Sequence, residues 1–131
     1  MAPNMIAGVG KVGIADSDTV SIDNLHRQIG HTEGRVGVRK TSSLQATASS
    51  INSHPHICTH DAGLTKTNAL AVCRGYDVVA DCSDNPYTRY LVNDACVLAG
   101  VPLVSAAAVG TDGQLSVYAH NDGPCYRLAV P

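Results

Sequence analysis

Residues 76–104 read YDVVADCSDNPYTRYLVNDACVLAGVPLV, and this stretch decides the fold. Val78, Val79 and Ala80 make a short, nearly continuous apolar run, as a parallel strand does when both of its faces are buried. Asp81, Ser83, Asp84 and Asn85 follow at once, and Pro86 suits the first turn of a helix, where its missing N–H leaves no bond unmade. A strand, a polar turn and a helix in that order gather four polar side chains at the strand's carboxyl end, where open α/β sheets bind ligands.

Working outward, the spacing predicts strands over 12–15, 56–59, 77–81 and 101–107, and helices over 40–50, 67–73 and 87–98, the last being the clearest. Leu44, Ala48 and Ile51 fall on one face of the first of these helices, which 52–55 end. Residues 5–8 read as the tail of a helix ending in glycines, 16–37 as a polar, Gly-rich connection, and GQLSVYAH at 113–120 as an antiparallel or edge strand with Leu115 and Val117 on one side. A short tail without support follows. Alternation of apolar strands and helices predicts an α/β, Rossmann-like three-layer domain with a mostly parallel sheet.

The chain has 131 residues, which is one domain at the low end of what a dinucleotide-type fold needs, so a single domain over 1–131 is expected. It is 44% hydrophobic but 4% aromatic, with no Phe or Trp, so Val, Ala, Leu and Ile must fill its core. Nine Lys and Arg against eleven Asp and Glu give a net charge of -2, which offers no broad basic face to a nucleic acid backbone. The amino end lacks a basic leader and its apolar stretch is too short and Gly-rich to span a bilayer, so the expected compartment is the cytoplasm and no membrane partner is expected. Cys58, Cys73, Cys82, Cys96 and Cys125 form no CxxC pair, and free buried thiols are the expectation.

After the first strand comes DSDTVSIDNLHRQIG, in which Asp16 and Asp18 precede Asn24 and Arg27. A carboxylate accepts from both hydroxyls of a ribose and a guanidinium offers a fork of donors to phosphate, a combination that suggests a nucleotide. A solvated loop with a local Asx turn explains the same residues as well. Lys40 opens a helix, where backbone N–H groups and the ammonium together could hold a triphosphate; a surface lysine is the plain alternative. Asp84 has the chemistry for magnesium, which takes one or two carboxylates plus phosphates. Asp81 orients a turn or caps the next helix, Arg89 and Asp94 read as solvated or paired, and His26, His31, His54, His56 and His60 show no metal-binding rhythm.

The order of these segments resembles the adenylating domain of the ubiquitin-activating-like superfamily, specifically the bacterial molybdopterin-synthase and thiamine adenylyltransferases and their eukaryotic fusion with a rhodanese domain. The resemblance runs through AGVGKVGIADSDTVSIDNLHR at 7–27, the helix-opening Lys40, residues 76–118 and GPCYR at 123–127. It implies an ATP-dependent adenylyltransferase that activates the C-terminal glycine of a ubiquitin-like sulfur carrier, in molybdenum cofactor biosynthesis and tRNA thiolation. ATP and magnesium are the implied cofactors, the carrier the implied partner, and a homodimer or heterodimer the implied assembly.

Residue by residue, the resemblance gives Asp16 the ribose, the loop Asp23, Asn24, Leu25, His26 and Arg27 the nucleotide, Arg27 and Lys40 the phosphates, and Asp84 the magnesium with Asn85 beside it. Arg27, Lys40 and Asp84 are then the catalytic set. Cys125 matches the first ligand of the family's zinc site, but Leu128 stands where the second belongs, so zinc is not expected to be held. The family's opening strand and GxGxxG turn precede the matched region, and Gly8, Gly10 and Gly13 belong to a different turn. For this chain alone the expectation is therefore weak ATP binding and negligible turnover. A non-catalytic binding module that pairs with a paralogue or the carrier is the alternative.

Overall fold

The computed structural model describes residues 8–130. The helix tail expected at 5–8 falls mostly outside them. The chain separates into two compact units, Met1–Gly63 and Leu64–Pro131.

The first unit is a β-α-β crossover: β1 (Lys11–Ala15), α1 (Lys40–Ile51) and β2 (His56–His60). β1 and β2 pair in parallel, with Val12 opposite Ile57 and Ile14 opposite Thr59. Val12, Ile14 and Ile57 are buried, and Leu44 and Ala48 of α1 pack on them. Ile51, expected on that same face, is 54% exposed; it is the last helical residue, and the backbone leaves the helix at Asn52 with φ -147° and ψ 118°.

The connection at 16–37 is more ordered than a solvated loop. It contains two short 3-10 turns, Ile22–Asn24 and Glu33–Arg35. The Val20 N–H donates to the Val38 carbonyl at 2.8 Å and the Gly37 N–H to the Val20 carbonyl at 2.9 Å, so the two ends of the loop close on each other. Its far side is fastened to α1: Arg35 Nη1 donates to Thr47 Oγ1 at 2.6 Å and to the Ser43 carbonyl at 3.0 Å, and His31 Nδ1 lies 2.7 Å from Ser43 Oγ.

The second unit runs α2 (Ala69–Cys73), β3 (Val79–Asp81), α3 (Pro86–Ala99), β4 (Leu103–Val109), β5 (Asp112–Tyr118) and α4 (Tyr126–Ala129). β3 and β4 are parallel, with Val79 opposite Leu103 and Asp81 opposite Ser105; β5 returns antiparallel to β4. The core is Ala69, Cys73, Val92, Ala95, Cys96, Leu103 and Tyr118, mostly small side chains as the composition requires. α3 begins with Pro86 after Asn85, whose Oδ1 accepts the Tyr87 N–H at 2.9 Å, and ends at Gly100 with φ 67°, a left-handed conformation that costs glycine no Cβ clash.

The fold is mixed α/β with parallel strand pairs, as the apolar runs predicted. Among the described residues the strands pair as β1-β2 in the first unit and β3-β4-β5 in the second. The carboxyl-terminal tail is anchored, contrary to expectation. The Tyr126 N–H donates to Oδ1 of the buried Asn93 at 2.7 Å, and Arg127 makes two 2.7 Å bonds to the Asp94 carboxylate. Tyr126 also meets the Tyr90 and Tyr118 rings edge to face, with centroids 5.1 and 5.7 Å away. These partners lie far away in sequence, so no local pattern announces them.

Candidate functional site

In the first unit the carboxyl end of β1 leads directly into Asp16. Its Oδ1 accepts the Asp18 N–H at 2.8 Å, a local Asx turn that fixes the carboxylate at the strand end. The Asp18 carbonyl then accepts the Lys40 N–H at 3.0 Å, and Thr19 bridges Arg39, so the start of α1 is tied to the end of β1. Lys40 is only 8% exposed, unlike the surface lysine of the plain alternative. Its Nζ lies 3.9 Å from Oδ2 of the exposed Asp18, a loose ion pair. No side chain caps α1, which leaves its first N–H groups the anion-seeking character of a helix start.

Asp23 and Asn24 sit in the first 3-10 turn, with Leu25, His26 and Arg27 just after it. Arg27 Nη2 donates to Asn24 Oδ1 at 2.9 Å and its Nη1 lies 3.3 Å from His26 Nε2, all on the exposed side. The guanidinium is thus braced by the Asn24 amide oxygen and the His26 ring. Gln28, which the sequence did not single out, follows Arg27 with a buried Oε1 that has no hydrogen-bond partner among the described residues. A polar residue beside a predicted ligand-binding arginine is the one signal that could have drawn attention to it. His31 is held below the ordinary imidazole range by burial first, then by the positive charge of Lys40, with Asp16 opposing. The first unit therefore brings Asp16, Asp18, Lys40 and His31 into one electrostatic neighbourhood.

In the second unit the carboxyl end of β3 carries the other predicted group. Asp81 is 6% exposed; its Oδ1 accepts the Ser83 N–H at 2.9 Å, while its Oδ2 and Ser83 Oγ are buried without partners among the described residues. Asp81 orients the turn, and Asn85 caps α3. Asp84 is exposed immediately before that cap, so its carboxylate projects from a fixed turn. Arg89 Nη2 donates to the Ser83 carbonyl at 2.8 Å, bracing the same turn. Arg89 also borders a small cleft of about 80 Å³, lined with Ser105, Gln114, Ser116 and Tyr118.

Cys125 is half-buried and precedes α4. Its thiol is held below the ordinary range chiefly by the Leu128 backbone, with burial opposing. Among the described residues no three His, Cys, Asp or Glu side chains group to hold a metal ion, so Cys125 does not by itself fit a tetrahedral zinc site. The cysteines are all free, but only Cys73 and Cys96 are buried, and Cys82 is exposed. Among the described residues no helix is long and apolar enough to cross a membrane.

A parallel β-α-β crossover with acidic, amide and basic side chains at the strand ends places the chain among Rossmann-like α/β proteins. Comparison narrows the class: the ThiF family model matches residues 4–131, and the chain belongs to the ThiF family. It is 50% identical over 125 residues to the adenylyltransferase and sulfurtransferase MOCS3 of Dictyostelium discoideum, covering 95% of this chain and 29% of that protein. To MOCS3 of Anopheles gambiae it is 52% identical over 125 residues, covering 95% of this chain and 28% of that protein. The chain thus spans under a third of the length of these curated relatives. Among solved structures, Escherichia coli MccB with MccA-N7isoASN matches with a TM-score of 0.80 at 25% identity, covering 91% of this chain and 36% of MccB. MccB with AMPCPP and MccA matches with a TM-score of 0.73 at 25% identity, covering 92% and 36%.

Proposed function

We propose that this chain is part of an ATP-dependent adenylyltransferase that activates the C-terminal glycine of a ubiquitin-like sulfur carrier. The observation that carries the reading is the buried, loosely paired Lys40 at an uncapped helix start, joined through the Asp18 carbonyl to the strand that presents Asp16. A buried ammonium with a partner 3.9 Å away is costly unless an anion completes its surroundings. Membership of the ThiF family, relatives named adenylyltransferase and sulfurtransferase, and an MccB structure holding AMPCPP support the same nucleotide.

ATP is the substrate. Asp16 accepts the ribose hydroxyls, and residues Asp23, Asn24, Leu25 and His26 shape the loop against the nucleotide. Arg27 and Lys40 neutralise the phosphates. Asp84, exposed beside the Asn85 cap, has the single hard carboxylate that magnesium takes together with phosphate oxygens. When bound, that ion supplies charge neutralisation at the phosphates. A carboxylate oxygen of the carrier's terminal glycine attacks the α-phosphorus, the bond from that phosphorus to the bridging oxygen breaks, and pyrophosphate leaves with the electron pair. The product is an acyl adenylate. No covalent enzyme intermediate is needed, and placement with electrostatic stabilisation does the catalysis.

The test is pyrophosphate exchange and calorimetric titration with magnesium-ATP, on the wild-type chain and on Asp84→Ala, with and without a carrier ending in glycine. The expected result is weak, magnesium-dependent ATP binding that Asp84→Ala weakens further, with negligible exchange by the chain alone. ATP binding indifferent to Asp84→Ala and to magnesium overturns the assignment. Exchange that appears only when a full-length paralogue is added makes the chain a binding module.

A further inference from the structure

Lys40 and Ser43, both buried, stand one helical turn apart at the start of α1 and so share a face of that helix. His31 reaches over from the 16–37 loop and places its Nδ1 2.7 Å from Ser43 Oγ. Arg35, on the same loop, donates from Nη1 to the Ser43 carbonyl at 3.0 Å. Three basic side chains therefore converge on the opening turns of α1. The carboxylate paired with Lys40, that of Asp18, lies 3.9 Å from the ammonium and is 73% exposed, so it neutralises little of that charge.

We propose that His31 is coupled to phosphate binding: its imidazole is neutral in the empty chain and takes up one proton from solvent when a polyphosphate anion occupies the start of α1. This rests on the nucleotide reading above and adds a proton to the binding step. Among the described residues, the charges facing the half-buried ring are Lys40 from α1, Asp16 from the end of β1 and Arg35 from its own loop, two positive against one negative. Burial and the Lys40 charge accordingly hold the empty-chain imidazole below its ordinary range. A triphosphate brings several negative charges to Lys40, reverses the balance and favours the imidazolium. The Ser43 contact permits either state, because a hydroxyl donates to a bare ring nitrogen and accepts from a protonated one, and the loop stays fastened to α1 in both.

Linkage then makes ATP bind more tightly at lower pH. Below the empty-chain value, itself under the ordinary 6.5, His31 is charged with or without ATP and affinity is at its highest. As pH rises through the higher value of the ATP-bound chain, the advantage is lost. An anion that raises the group by half to one unit gives a fall of about 3- to 10-fold in affinity across the window.

The experiment titrates the full chain with magnesium-ATP by calorimetry at about pH 6.5, in two buffers of different ionisation enthalpy. Excess magnesium keeps the terminal phosphate of the nucleotide deprotonated, so any proton taken up belongs to the protein. Net uptake of a fraction of a proton is expected; inorganic tripolyphosphate should give the same uptake and adenosine none. His31→Asn, whose amide stands where Nδ1 does and still bonds Ser43, should abolish the uptake and flatten the pH dependence. If that variant fails to fold, the wild-type ring decides: identified by NMR through its proximity to Ser43, it should titrate at higher pH with magnesium-ATP than without. ATP binding with no buffer-dependent heat, uptake that persists in His31→Asn, or an unmoved His31 titration overturns the proposal and leaves the nucleotide reading standing. Failure of both magnesium-ATP and tripolyphosphate to bind overturns the two together.

Discussion

Replacing Lys40 by Met separates what the lysine does for a nucleotide from what it does for the fold. Met retains an unbranched side chain in the buried position and removes the charge. Lys40 is 8% exposed, and its ion pair with Asp18 spans 3.9 Å to a carboxylate that is 73% exposed. Solvent screens such a pair to about 0–1 kcal/mol, which barely offsets the cost of holding the ammonium away from water. Lys40→Met should therefore leave stability to urea unchanged or raise it by up to about 1 kcal/mol. Toward ATP the outcome is different, because a charge-assisted bond to a phosphate contributes about 1.5–3 kcal/mol, or about 10- to 150-fold in affinity. Calorimetric titration with magnesium-ATP and urea unfolding of both proteins measure the two quantities. ATP affinity within twofold of wild type in a folded Lys40→Met chain refutes the phosphate role. A large loss of stability instead shows that the ion pair, not a ligand, is the reason for the buried lysine.

Asn93 is 1% exposed and its Oδ1 holds the Tyr126 N–H, so Asn93→Ala strands a backbone donor and opens a small cavity. The cost should be roughly 2–4 kcal/mol by chemical denaturation, with faster amide exchange in α4 than in α3. Asp94 is held below the ordinary carboxylate range first by its hydrogen bond to Arg127, with burial opposing. A depressed carboxylate stabilises the fold above its unfolded pKa near 3.8 and loses that contribution as pH falls through the lower folded value. Anchoring of α4 should therefore weaken only in that acid window, and only slightly because solvent screens so exposed a pair, and Arg127→Ala should erase this part of the acid dependence of unfolding.

Local sequence determined most of the elements. The apolar run at 78–80, Pro86 after Asn85 and the glycine at 100 mark a strand, a helix start and a helix stop through short-range sterics, and the structure places β3, α3 and the Gly100 cap there, although β3 covers only 79–81 and Val78, expected to be buried, is 55% exposed. The alternation at 113–120 likewise gave an antiparallel strand with Leu115 and Val117 on one side, but that this apolar side is left exposed was not legible. The positions of Asp16, Lys40 and Asp84 at strand ends and helix starts were legible for the same reason, since those positions follow from element order. Their surroundings were not. That Lys40 is buried, that Gln28 Oε1 lacks a partner and that Arg35 fastens the 16–37 loop to α1 depend on contacts between segments a dozen or more residues apart, or on the closure of the loop itself. The anchored tail is the clearest case. Asn93 and Asp94 carry no local sign of Tyr126 and Arg127, 33 residues on, and only packing brings them within 2.7 Å. Periodicity says which face of an element is apolar, while tertiary structure decides what, if anything, covers it.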